Sequence, residues 1–139
     1  MRLFLDTSVL LAASGSMAGA SREIFRRASA NGWVLVSTPY ALEEALRNLP
    51  DFPPSASAEW ARLRPALLVM DDVFTLDRPA VFRAAKDRPI LFSALAWADI
   101  LLTLHRGDFG ALMDKSFYGL LVLKPGVFLE RERAAGRLK

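Results

Sequence analysis

LFLDTSVLL, residues Leu3–Leu11, decides how the rest of the chain is read. An apolar run suited to a fully buried strand is broken once, by the carboxylate of Asp6, and two hydroxyls, Thr7 and Ser8, follow at once. In parallel α/β sheets the carboxyl ends of the strands face the ligand crevice. A strand Leu3–Leu5 ending in Asp6 therefore delivers a negative charge to the rim where such folds do chemistry. That charge is tolerable if it caps the next helix or if a cation neutralises it. How many other acids reach the same rim becomes the question.

Outward from this strand, apolar runs alternate with amphipathic ones. Ser14–Gly19 reads as a loop. Ala20–Ala30 reads as a helix with Ile24 and Phe25 inward and Arg22, Arg26 and Arg27 outward, stopped by Asn31-Gly32. Trp33–Val36 is a second strand, and Pro39 opens a helix over Tyr40–Leu49, where a missing N–H costs nothing. Asp51–Ser55 is an internal linker. A helix over Ala56–Met70 follows, kinked or divided at Pro65, then a third strand at Val73–Leu76. Short helices are expected at Pro79–Ala85 and Pro89–Ala98, strands at Ile100–Thr103 and Leu120–Leu123, and a final helix from Val127 to about Ala135 before a frayed basic tail. This order predicts an α/β fold with a mainly parallel sheet and helices on both faces. Near-continuous apolar strands agree with burial on both sides. The sequence shows no internal repeat, low-complexity tract or glycine-rich phosphate loop.

The totals bound the chemistry. A chain of 139 residues fits one domain, and 53% apolar with 24% charged residues excludes disorder. The absence of cysteine rules out disulfides and thiolate zinc sites and suits a reducing cytosol. A single histidine, His105, excludes multi-histidine metal sites, so a metal here needs oxygen ligands and is a hard ion such as Mg2+ or Mn2+. Arg2, the apolar run and Ala18–Ala20 mimic a signal peptide, but Asp6 lies inside what would be its apolar region. Ile90–Leu104 is broken by Asp99 and falls short of the roughly 20 residues a bilayer span needs. A soluble, cytoplasmic protein with no membrane partner is expected. Only Lys86, Lys115, Lys124 and Lys139 among the 18 basic residues are lysines, and the net charge is +3. Arginine forks onto phosphate at two points, which suits a nucleic-acid partner; arginine-rich codon usage explains the same bias equally well.

Four acidic positions follow the carboxyl ends of strands or open helices that point the same way: Asp6, the Glu43–Glu44 pair, Asp87 and Asp108. Two like charges 4 Å apart repel by about 1 kcal/mol in water and about 4 kcal/mol at a protein-like effective dielectric. Converging carboxylates therefore call for a proton or a bridging divalent ion, and such an ion on a carboxylate cluster implies phosphodiester hydrolysis by metal-activated water. Each acid also has a plain structural role. Asp87 and Asp108 suit helix caps, and Glu43 and Glu44 suit a helix's first turns. Asp99 ends a helix at the surface or orients a metal-binding group. Thr7, Ser8 and Thr103 hydrogen-bond the carboxylates or serve as turn residues. His105 is a candidate general base, phosphate contact or loop residue. Tyr40, Trp33, Trp60 and Trp97 read as core or interface aromatics.

Taken in order, Leu3–Ala13, Gly19–Ala28, Ser37–Leu49, Lys86–Phe109 and Leu123–Glu130 resemble the PIN-domain family of metal-dependent ribonucleases, and in particular its small, toxin-like, VapC-like members. The resemblance implies a three-layer α/β/α fold with sheet order 3-2-1-4-5. It further implies an acidic pocket for Mg2+ or Mn2+ and cleavage of single-stranded RNA. By position Asp6 is the first acid, Glu44 (followed by Ala45, with Leu49 five positions on) the second and Asp87 the third; Asp6, Asp87 and Asp108 would hold the metal. The fourth acid departs from the pattern: His105 stands directly after the fourth strand and its threonine, where many relatives have Asp or Asn, and Asp108 in the GDF triplet matches the acid used by others. The toxin-like members imply a homodimer and an antitoxin whose peptide crosses the cleft. Two other readings remain open: a non-catalytic PIN-like module that binds RNA or protein, and an aspartate-nucleophile phosphatase, whose second acid two residues on is here Ser8.

Overall fold

The computed structural model describes residues 1–139. The chain begins with β1 (Arg2–Leu5), α1 (Thr7–Gly15), α2 (Ala20–Asn31), β2 (Val34–Ser37) and α3 (Pro39–Asn48). It continues through α4 (Ser55–Leu63), β3 (Leu67–Val69), α5 (Arg88–Trp97), β4 (Ile100–Leu102) and α6 (Arg106–Phe109). The last elements are β5 (Ser116–Phe117), β6 (Leu120–Leu123) and α7 (Pro125–Ala134). The sheet order is β3-β2-β1-β4-β6-β5, parallel except for the β5–β6 pair. The five parallel strands follow the expected 3-2-1-4-5 order, and β5 is an added antiparallel edge.

Strand periodicity divides the core. Leu3, Leu5, Leu35, Ile100, Leu102 and Leu123 face one side, while Phe4, Val36, Leu101 and Val122 face the other. The first face is covered by Val9 and Leu10 of α1, Ile24 of α2, Trp60 of α4 and Phe128 of α7. Ile90, Leu91 and Ala94 of α5, Phe109 of α6 and Phe82 cover the second. Each fully buried side chain of this size contributes about 2 kcal/mol. α3 straddles the boundary, with Ala41 in one core and Leu42 and Ala45 in the other. The result is a three-layer α/β/α arrangement.

Several boundaries differ from expectation. The helix expected over Ala56–Met70 ends at Leu63, and Arg64–Ala66 tightens into a 3₁₀ turn around Pro65. Proline cannot donate to the preceding turn, so the chain leaves the helix. It enters the sheet as β3, with Leu67 opposite Leu35. The expected strand Val73–Leu76 is loop; the Val73 N–H donates to Ser93 Oγ (2.8 Å) instead of to a strand. No helix forms over Pro79–Ala85, only a 3₁₀ turn at Ala85–Asp87. Arg22, expected outward, is buried, reaching Glu59 at 2.7 Å and the Ala13 carbonyl at 3.2 Å. The tail folds back, with Arg137 Nε 2.6 Å from Glu132 and the Lys139 N–H donating to Asn31. No helix is long and apolar enough to cross a membrane.

Candidate active site

β1 carries Asp6 to the carboxyl edge of the sheet, where its N–H still donates to Leu102 of β4 (3.1 Å). Its side chain then caps α1: Oδ1 accepts from the Thr7 N–H at 2.7 Å. Oδ2 accepts from Ser8 Oγ (2.9 Å) and Thr103 Oγ1 (2.7 Å). Those hydroxyls are themselves fixed, accepting from the N–H groups of Leu104 (3.0 Å) and His105 (3.1 Å). Hydrogen bonds to a charged acceptor are worth about 1.5–3 kcal/mol each, so this buried carboxylate is satisfied without a metal.

Asp87 has the opposite environment. It closes the 3₁₀ turn before α5, its N–H bonded to the Ala84 carbonyl (2.9 Å). The residue is 4% exposed and its Oδ2 atom has no hydrogen-bond partner. Burial pushes its carboxyl up to about 8, reinforced by a hydrogen bond with Asp108 and by the charges of Asp6, Asp108 and Glu44. Near neutrality one proton therefore sits on Asp87. Asp108 moves the other way, held below the usual carboxylate range first by that hydrogen bond and then by the charges of Lys86 and His105, against some burial. Lys86 Nζ lies 3.7 Å and His105 Nδ1 3.4 Å from Asp108 Oδ2. The neighbouring Phe109 is fully buried against Phe82, ring centroids 5.2 Å apart, which ties α6 to the loop leading to Asp87.

Of the residues singled out in the sequence, Asp6, Thr7, Ser8, Thr103, Glu44, Asp87, His105 and Asp108 come to one end of the sheet. Glu44 Oε2 lies 3.4 Å from Thr7 Oγ1, whereas Glu43 is exposed and hydrogen-bonds to nothing. Thr7 Oγ1 donates principally to the Ala41 carbonyl at 3.0 Å. Asp99 is a correction. It accepts from the Arg2 N–H at 2.7 Å, before β4 begins and at the opposite rim. Four residues of extended chain put it about 13 Å from Thr103. The crevice lies at the carboxyl ends of the parallel strands and Asp99 at their amino ends, so Asp99 orients nothing in the site. Tyr40 was missed as a site residue. Its hydroxyl donates to the Lys86 carbonyl, and its phenol is raised by burial and then by the charges of Glu44 and Asp87. Its placement four residues before Glu44 on one helix was the available signal.

The two carboxylates fit a hard divalent cation, and the cluster adds one nitrogen donor, His105, to the all-oxygen set expected from the sequence. One ligand atom each from Asp87, His105 and Asp108 lie within 4.8 Å of one another, and the partnerless Asp87 oxygen is the kind of buried group such an ion would satisfy. Asp6 stands beside this trio rather than in it, close enough for its charge to act on Asp87.

No protein-family model matches the chain, and no curated protein matches it in sequence. A chain in the crystal structure of VapBC2 from Rickettsia felis, bound to a DNA fragment from their promoter, has the same fold, with a TM-score of 0.63 at 14% identity. The match covers 88% of this chain and 97% of that one.

Proposed function

We propose that the chain is a divalent-metal-dependent endoribonuclease that hydrolyses phosphodiesters of single-stranded RNA, within a single PIN-like domain spanning residues 1–139. The observation carrying this reading is the buried Asp87 carboxyl, its Oδ2 without a partner, packed against Asp108 under the charges of Asp6 and Glu44. Such a cluster stores repulsion that a cation would relieve. Asp6, Asp87 and Asp108 would hold Mg2+ or Mn2+; a nitrogen of His105 lies within 4.8 Å of ligand oxygens of Asp87 and Asp108, and Asp6 would join from beside that trio. When bound, the ion would supply a water of lowered pKa and neutralise charge building on the phosphodiester.

The chain's own residues have separable tasks in this scheme. Asp87, protonated near neutrality, would give that proton to solvent in order to offer its carboxylate to an ion. Asp6, already anchored by three donors, offers a carboxylate that need not reorganise. Glu44 is the general base, its carboxylate receiving only the long contact from Thr7. Lys86, beside Asp108, faces the anionic backbone of the substrate.

The test is cleavage of end-labelled single-stranded RNA with Mn2+ and with EDTA, alongside calorimetry with Mn2+ alone. Cleavage should need the metal and vanish in Asp87→Asn while RNA binding persists. If calorimetry detects no Mn2+ binding, the chain is a non-catalytic binding module. We further propose the role of toxin in a toxin–antitoxin pair, as a homodimer that an antitoxin peptide inhibits across the cleft. Growth arrest on expression would support it, and a monomer at micromolar concentration in sedimentation would reject the dimer.

A further inference from the structure

Tyr40, in the first turn of α3, holds both ends of the long connection between β3 and α5. Its backbone N–H donates to Asp72 Oδ2 at 3.0 Å, three residues after β3 ends. Its hydroxyl donates to the backbone carbonyl of Lys86, one residue before Asp87. Between those points the chain forms no regular element until the 3₁₀ turn at Ala85–Asp87. A second clamp acts within the same segment: Arg88 Nε and Nη2 both donate to the Phe82 carbonyl, at 3.1 and 2.9 Å.

These tethers bear on a particular weakness. No protein donor fixes Asp87 Oδ2, and the side-chain partner its carboxyl does have, Asp108, is another acid. Its position must come from the backbone that carries it. That backbone is stitched to a packed helix by the Tyr40 hydroxyl, on the same helix face as Glu44, so one element locates two of the acids. We propose that Tyr40 is a positioning residue: its hydroxyl, by anchoring the Lys86 carbonyl, sets the Asp87 carboxyl at the distance from Asp108 and Glu44 that metal loading requires. The metal part of this statement rests on the nuclease reading above; the anchoring part does not.

The experiment compares the full chain with Tyr40→Phe, which removes only the hydroxyl. Amide hydrogen exchange without metal reads the anchor. The Asp87 N–H, bonded to Ala84, should exchange about tenfold faster in Tyr40→Phe, with helix-core amides unchanged. Lys86→Ala keeps the backbone carbonyl and should leave that amide as protected as in the parent. Mn2+ calorimetry then reads the consequence, a loss of about tenfold in affinity, and RNA kinetics should show a lower kcat with KM held. Unchanged exchange and unchanged Mn2+ affinity in Tyr40→Phe overturn the inference while the nuclease reading stands. Faster exchange in Tyr40→Phe with no Mn2+ binding by the parent overturns the nuclease reading and the metal role of Tyr40, and keeps only the anchor. A global loss of protected amides in Tyr40→Phe also overturns the proposal, because the hydroxyl would then be supporting the fold rather than one carboxyl.

Discussion

Two carboxylates a short distance apart are built on opposite principles. Asp6 is surrounded by donors on rigid elements: a helix N-terminus, a hydroxyl two residues on and a threonine at the end of a central strand. Asp87 hangs from a loop, keeps a proton, and presents a buried oxygen to nothing. The same residue type is thus a stabilising anion in one place and a strained acid in the other. The difference lies in the donors each backbone brings along. In the proposed nuclease the first is the fixed wall of the site and the second its loading point.

The largest way to break this contrast is Asp6→Ala. The Thr7 N–H and the Ser8 and Thr103 hydroxyls would lose their acceptor, costing about 3 kcal/mol and lowering the melting temperature by about 10 °C. A loss below about 1 kcal/mol in thermal or chemical denaturation would show that the network is dispensable.

Asp87→Asn should go the other way, and its effect depends on pH. The folded carboxyl holds its proton up to about 8, against 3.8 for an unperturbed one. Stability from that proton is complete below the lower value and drains away as pH rises through the upper one. The asparagine variant should therefore match the parent near pH 4 and melt about 5 °C above it at pH 8 without metal. Parallel melting curves across that window would mean Asp87 ionises normally. The smallest effect belongs to Asp99→Asn. Its distance from the site, about 13 Å, exceeds the Debye length at physiological salt, so Mn2+ affinity should stay within about twofold.

The sequence makes the Asp6 side readable because a charge at the end of a buried strand has few uses; alternation gives a parallel sheet, while the strand order came from the family resemblance. The loop side is harder. Leu67–Val69 sits inside a helix-like apolar period, and only its pairing with β2 makes it a strand. Val73–Leu76 has strand composition, yet Ser93 captures the Val73 N–H that a sheet would use. Glu43 and Glu44 are equivalent in composition; the rotation of α3, fixed by Ala41, Leu42 and Ala45 entering the cores, turns Glu44 to Thr7 and Glu43 to solvent. Asp99 was separable in principle, since a residue preceding a parallel strand lies at the far rim. The Tyr40 contact joins residues 46 positions apart, so the spacing of Tyr40 from Glu44 marks its helix face but not its partner.

The borders of the sheet carry a consequence for self-association. On one side is a three-residue strand entered through Pro65; on the other is a two-residue strand ending in a tight reversal at Tyr118 and Gly119, both with positive φ. So few unpaired amides are on offer that a stray extended segment gains little by adding itself there. Growth of the sheet from one copy of this chain into the next is therefore disfavoured, which guards crowded, newly made molecules against fibrous stacking.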